Sequence, residues 1–100
     1  MKNLISLSAM CCALATSAFA QEKTLTISTY SFAQDAYKAA LYDPFEAICD
    51  CNLVIETGNS VERMSKIEAN AADPVIDMAV ISSQDALALS RKDLLSPLDL

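Results

Sequence analysis

The stretch "NLVIETGNSVER", residues 52–63, contains the only glycine of a 100-residue chain that is 53% hydrophobic. Four of its first six residues are apolar or β-branched, which predicts a strand, and Val61 opens a spacing of three and four that predicts a helix. Glycine is favoured where the backbone turns tightly or where another group approaches it closely. Gly58 therefore predicts a tight turn from strand to helix, with a backbone left open to an approaching ligand.

The same strand-plus-helix unit occurs three times along the chain. Further strands are predicted at residues 24–30 and 75–81, and the last is almost continuously apolar, as in a strand covered on both faces. An apolar helical spacing follows each strand, formed by Tyr37, Leu41, Phe45 and Ile48, by Val61, Met64, Ile67 and Ala71, and by Leu87, the Arg91 stem and Leu94. The order βαβαβα predicts an α/β fold with a parallel sheet and right-handed crossovers.

Each predicted helix begins with the spacing of a capping box, in which a capping residue precedes an acid or amide by three positions. The three pairs are Ser31 with Gln34, Asn59 with Glu62, and Ser82 with Asp85. Pro44 interrupts the first helix, where a proline in the interior is unfavourable. We therefore expect a kink or a two-part helix, with Asp43 as a new cap and Pro44 at the first helical position.

The three turns that follow parallel strands gather at one edge of the sheet, where open α/β sheets bind ligands. Helix N-termini at that edge favour phosphate, phosphonate or carboxylate groups. The predicted ligand-binding residues are Tyr30, Ser31, Gly58, Asn59, Ser60, Ser82 and Ser83. The alternative is that the capping residues only cap their helices and that Tyr30 only packs. Ser60 and Ser83 are the stronger candidates, because each lies beside a separate capping residue.

Two acidic residues lie within the predicted strands, Glu56 and Asp77. No partner acid or base accompanies them in the sequence. We therefore expect them to be exposed or paired rather than catalytic.

The first twenty residues predict a secretory signal peptide. Lys2 supplies the basic start, residues 4–15 form an apolar stretch, and Ala18-Phe19-Ala20 matches the A-x-A cleavage pattern. The apolar stretch is shorter than a membrane-spanning helix. A lipid anchor at Cys11 or Cys12 is the weaker alternative, because Met10 stands where such signals have a small residue. We expect cleavage after Ala20, export to the periplasm, and one soluble unit at residues 21–100.

Composition excludes several classes of function. Without Lys2, six basic residues face 13 acidic ones, a net charge of −7, which makes nucleic acid a poor partner. The chain has no histidine, which excludes a Ser-His-Asp hydrolase, a Cys-His protease and a His-bearing zinc site. A single glycine excludes both the dinucleotide-binding fingerprint and the P-loop. We expect no cofactor, no metal and no enzymatic activity.

Two segments, "TLTISTYS" at residues 24–31 and "YDPFEAICDCNLVIETGNSVERMSKIEANAADPVIDMAVISSQDALALSRKDLLSPLD" at residues 42–99, carry a family resemblance. The chain resembles the start of bacterial extracellular solute-binding proteins of the spermidine/putrescine, iron and thiamine type, which serve ABC importers. The resemblance implies a two-lobed type II periplasmic binding protein fold that traps its ligand by hinge closure. Members of this family are several times longer, which implies that residues 21–100 are the N-terminal part of the first lobe, with strand order 2-1-3.

The same resemblance implies a function and partners. The protein would capture a small polar solute (a polyamine, ferric ion, thiamine or a phosphonate) and present it to a permease in the inner membrane, as a monomer when full length. It further implies that three loops, at residues 30–31, 59–60 and 82–83, contact the ligand from the first lobe.

Cys49-Asp50-Cys51 departs from the family, whose members have a Thr-Gly turn before the second strand. In an oxidising compartment the pair predicts a local structural disulfide, while pairing elsewhere and free thiols remain open. If the pair is instead redox-active, the protein would belong to a different class, the small secreted thiol-disulfide oxidoreductases. The usual redox motif, however, has two residues between the cysteines, and here there is one. In a third interpretation, the domain binds other proteins through an open edge of its sheet.

Overall fold

The computed structural model describes residues 22–99, where strands and helices alternate. The predicted signal peptide, residues 1–20, lies outside this range. The elements are β1 (Thr24–Thr29), α1 (Gln34–Tyr37), a π-helical turn (Lys38–Tyr42), α2 (Asp43–Cys49), β2 (Asn52–Thr57), α3 (Ser60–Ala69), β3 (Met78–Ala79) and α4 (Ser83–Arg91). The alternation confirms the predicted α/β class.

The sheet is parallel, with strand order β2-β1-β3. Along β1, Leu25 pairs with Leu53, and Ile27 pairs with both Ile55 and Met78. Apolar side chains therefore stand next to one another on the same face of three neighbouring strands. Direction and order agree with the sequence-based prediction, and the carboxyl ends of all three strands share one edge.

The third strand is much shorter than predicted, because only Met78 and Ala79 pair regularly with β1. The cause is Asp77, whose backbone N–H donates to the Thr26 carbonyl at 2.9 Å. Its carboxylate accepts the Thr26 N–H at 2.8 Å, the place that a backbone carbonyl takes in a regular ladder. The prediction of a strand over residues 75–81 covered on both faces is wrong, since Met78 is 55% exposed.

The helical segment before β2 runs through Pro44 without a break. The Asp43 N–H bonds to the Lys38 carbonyl, five residues earlier, which makes the turn before the proline π-helical. This wider turn accommodates a residue that has no N–H and whose ring crowds the preceding turn. The expected irregularity is present, but Asp43 is not a cap, because its φ of −61° and ψ of −45° are helical. Its carboxylate instead pairs with Lys38 and raises the pKa of that ammonium group.

Few side chains are fully enclosed in the described part of the chain. The buried apolar residues are Ile27 of β1 and Leu89 of α4. The helical faces predicted from sequence are partly wrong, since Leu87 and Val61 are exposed while Leu89 and Arg63 are buried. Residues two positions apart lie on nearly opposite sides of a helix, and the tertiary contacts decide which side turns inward.

The two faces of the sheet are covered by different helices. On one face, Leu25 and Ile27 form a groove of about 610 Å³ with the helix that precedes β2. Aromatic and aliphatic side chains of that helix remain exposed, with Tyr37 at 40% and Leu41 at 56%. Helix α3 follows the other face, where Lys66 pairs with Glu56 of β2 at 2.6 Å. Within residues 22–99, no helix has the length and apolarity needed to cross a bilayer.

Candidate functional site

The turns that follow the three strands meet at one edge of the sheet. Thr29 pairs with Thr57, and Ser28 pairs with Ala79, so the chain leaves β1, β2 and β3 at neighbouring points. We call this edge the carboxyl rim and define it as residues 30–31, 58–60, 62–63 and 80–83. It contains all seven of the predicted ligand-binding residues.

Arg63 is the central side chain of the rim, and it is not among the binding residues predicted from the sequence. It projects from the first turns of α3 and is only 4% exposed. Its guanidinium carbon lies 4.2 Å from the centre of the Tyr30 ring. Both terminal nitrogens donate to the Val80 carbonyl at 2.8 Å. One side chain thus joins the end of β1, the end of β3 and the start of α3.

A signal for Arg63 was present in the sequence. Arg63 precedes Ile67 by four residues, so the two share one face of the helix. An arginine at such an inward position can bury its apolar stem while its charged end reaches a polar edge.

Gly58 serves this packing and not a left-handed turn. No glycine in the described range has a positive φ. A Cβ at Gly58 would lie 3.3 Å from Arg63 Cγ and 3.2 Å from Glu62 Oε2, which is tight contact. The prediction of an uncovered backbone is therefore wrong on the side of Gly58 that faces α3, because the side chains of Glu62 and Arg63 approach the glycine there.

Two of the three predicted caps are present. Asn59 Oδ1 accepts the Glu62 N–H at 2.9 Å, and Glu62 Oε2 accepts the Asn59 N–H at 3.1 Å, which completes the capping box. Ser82 Oγ accepts the Asp85 N–H at 3.1 Å. Asn59 and Ser82 are therefore engaged as caps. Ser60 and Ser83 stand directly after them, and their hydroxyls take no part in either cap.

The predicted cap at Ser31 is wrong. Helix α1 begins after Ala33, which has a left-handed φ of 55° and makes no side-chain capping bond. Gln34 is therefore the first helical residue and not the third, and its Nε2 donates to the Tyr30 carbonyl at 2.7 Å. Ser31 is exposed at the rim. Tyr30 is half-buried beneath Arg63.

The acidic side chains near the rim already have partners. Glu62 is held in the capping box, and Glu56 pairs with Lys66. Asp77, near the other end of β3, accepts from Thr26. Glu56 is thus paired and Asp77 is exposed, in agreement with the prediction for these two residues. Within residues 22–99, no group of three or more acidic, cysteine or histidine side chains is arranged to hold a metal ion.

The cysteine pair lies far from the rim. Cys49 and Cys51 form a disulfide with their Cα atoms 5.2 Å apart, the local pairing that the sequence predicts. Asp50 between them has a left-handed φ of 49°, which supplies the bend that so short a loop needs. The bridge connects the end of α2 to the start of β2, at the edge opposite the rim.

Comparisons of the chain with protein-family models, with curated proteins and with solved structures found no match. The class that the structure itself defines is an α/β protein with a parallel sheet of order 2-1-3 and a polar carboxyl rim.

Proposed function

We propose that the protein is the periplasmic substrate-binding component of an ABC importer and that it captures a small polar solute at the carboxyl rim. The observation that carries the proposal is the convergence of three strand-to-helix turns on one side chain, Arg63, which contacts Tyr30 and Val80. Open α/β sheets bind their ligands at this edge. The resemblance of residues 24–31 and 42–99 to extracellular solute-binding proteins supports the same function.

The finer proposal concerns architecture. In it, residues 22–99 form part of the first lobe of a type II periplasmic binding protein, and a second lobe closes over the rim by hinge motion. The groove of about 610 Å³ and the exposed side of β3 would then face further parts of that lobe. The protein would act as a monomer and deliver its solute to an inner-membrane permease.

The polar groups of the rim are better suited to binding a solute than to catalysing a reaction. The rim offers hydroxyl and amide groups and backbone N–H groups, which bind polar solutes by hydrogen bonding. Its carboxylate, Glu62, is engaged in the capping box and is not positioned against a second acid or base. The disulfide of Cys49 and Cys51 lies at the opposite edge, so we assign it a structural role in joining α2 to β2.

A thermal-shift experiment on the exported protein tests the proposal. Spermidine, methylphosphonate, thiamine and ferric citrate are each added in excess. A solute that binds only the folded state stabilises it, by about 2.7 kcal/mol at a hundred times its Kd. We expect one member of the panel to raise the midpoint of unfolding.

Matched serine substitutions then locate the site. The double variant Ser60→Ala/Ser83→Ala should reduce the shift, because it removes two hydroxyls from the rim. The control is Ser65→Ala/Ser90→Ala, which removes two exposed hydroxyls away from the rim. A panel in which no solute shifts the midpoint would contradict the proposed function, and an equal loss in both variants would contradict the site.

A further inference from the structure

The ends of β1 and β3 mark a special point of this fold. From the central strand β1, the chain passes first to β2 on one side and only then, through α3, to β3 on the other side. The connections therefore diverge between the carboxyl ends of β1 and β3. Such a switch point opens a crevice, and it is where doubly wound sheets bind ligands. Tyr30 and Val80 flank this point.

Arg63 places a buried positive charge at the switch point. Its guanidinium contacts the Tyr30 ring and the Val80 carbonyl, so it lies between the two strand ends. Of the carboxylates in the described range, none lies within ion-pair distance of it, since the ion pairs there are those of Lys38, Lys66 and Lys92. A guanidinium stays protonated in proteins, so it cannot avoid the cost of burial by losing its charge.

The hydrogen bonding of Arg63 is also incomplete. Its two terminal nitrogens share a single acceptor, the Val80 carbonyl. Its Nε is buried and has no partner within residues 22–99. Buried polar groups in native proteins are nearly always paired, and an unpaired one calls for an explanation such as strain, a catalytic role, or binding of a water or ion.

A cavity of about 280 Å³ adjoins this side chain, and Gly58, Thr57 and Ser28 also line it. Glu56 and Glu62 border the same cavity, but each is held by a partner of its own, Lys66 and the Asn59 N–H. Helix α3 starts here, and the N–H groups of its first turn favour negative charge. The lining of the cavity thus includes the side chains of Arg63 and Lys66 and the positive end of a helix.

We infer that the ligand of the rim carries an anionic group, a carboxylate or a phosphate-type oxyanion, and that Arg63 supplies its counter-charge. The inference rests on the proposed function and narrows its solute class. It favours phosphonate-type and carboxylate solutes over polyamines. Tyr30 and Val80 orient the guanidinium, and Gly58 leaves room for its stem.

Nitrogen-15 NMR tests this directly, because arginine Nε–H groups give their own signals and the chain has only two arginines. Arg91 is exposed in the last turn of α4 and serves as the internal control. Sodium phosphate, sodium succinate and spermidine are titrated separately at constant ionic strength. We expect phosphate or succinate to shift the Arg63 Nε signal saturably while the Arg91 signal stays in place. The arm that responds identifies the oxyanion or the carboxylate.

Variants supply the second measurement. Arg63→Lys keeps a positive charge but lacks the planar donor set, and it should weaken binding of the responding anion roughly tenfold to hundredfold. Arg91→Lys should leave the affinity unchanged. The wild-type NMR titration stands without the variants, so a failure of Arg63→Lys to fold does not decide the question.

Three outcomes would overturn the inference. If the Arg63 and Arg91 signals shift alike, the anions bind nonspecifically. If spermidine stabilises the protein, loses that effect in Ser60→Ala/Ser83→Ala and leaves Arg63 unperturbed, the proposed function stands and the anionic class is wrong. If no probe perturbs Arg63 and no solute of the thermal-shift panel stabilises the protein, both proposals fail together.

Discussion

The guanidinium of Arg63 lies over the ring of Tyr30, with 4.2 Å between its central carbon and the ring centroid. Tyr30 follows β1 and Arg63 lies in α3, with the helical segment and strand β2 between them in the chain, and their contact brings α3 to the end of β1. A cation over an aromatic face is attracted by the ring quadrupole, more strongly where water is excluded. The same guanidinium donates to the Val80 carbonyl, so it lies between the ends of β1 and β3.

Arg63→Met should separate binding from stability. It removes a buried, uncompensated charge and its unpaired Nε while it keeps an apolar stem. Replacing buried ionic groups by apolar side chains is often neutral or stabilising. We expect urea unfolding to show a free energy of unfolding unchanged or raised by about 1 kcal/mol, with Arg91→Met as the control. A loss of more than about 2 kcal/mol would assign Arg63 a structural role instead.

Gly58→Ala should destabilise the protein. The new methyl group would meet Arg63 Cγ at 3.3 Å and Glu62 Oε2 at 3.2 Å, so both side chains would have to shift. Overpacking of this kind costs about 1–3 kcal/mol. The measurement is chemical denaturation beside Ser60→Ala, a small change two residues away. A stability within about 0.5 kcal/mol of the wild type would show that the rim adapts to a Cβ.

The capping residues allow a matched comparison. Asn59→Ala breaks a complete capping box and should cost about 1 kcal/mol of stability. Ser31→Ala should change stability by less than about 0.5 kcal/mol, because Ser31 is exposed and caps no helix. Thermal unfolding of the two variants under identical conditions checks the difference. Equal losses would place the start of α1 at Ser31 after all.

The cysteine pair should behave as a closed structural bridge. We expect the exported protein to react with an alkylating reagent only after reduction, read as a mass increase on both Cys49 and Cys51. The double variant Cys49→Ala/Cys51→Ala should lose roughly 1.5 kcal/mol, since so short a loop restricts the unfolded chain only slightly. A thiol that reacts without reductant and has a depressed pKa would favour the oxidoreductase alternative.

Export should remove the first twenty residues. Expression in a Gram-negative host, followed by osmotic shock and intact-mass measurement, should find a periplasmic chain that starts at Gln21. Ala18→Leu should block cleavage, because signal peptidase needs small side chains before the cut. Ser17→Ala, which keeps a small residue beside that position, is the control. A cytoplasmic chain of full mass would refute the predicted leader.

Much of the fold could be predicted because its signals are local. The β-branched alternation of β1, the pattern of β2 and the capping box of Asn59 and Glu62 each depend on neighbouring residues, and the structure confirms all three. The alternation of these elements was sufficient to predict the parallel sheet, since parallel strands need helical crossovers. The seven candidate residues accordingly lie at one rim.

Sequence by itself thus determined the order of strands and helices along the chain and the one edge of the sheet at which the candidate residues lie. Only the tertiary structure decided that Arg63 is buried, since its partner Val80 lies 17 residues away. It likewise decided that Asp77 shortens β3, through a bond to Thr26 across 51 residues. The physical reason is that hydrogen bonding and burial between distant residues depend on how whole elements pack, and no pattern within one element carries that information.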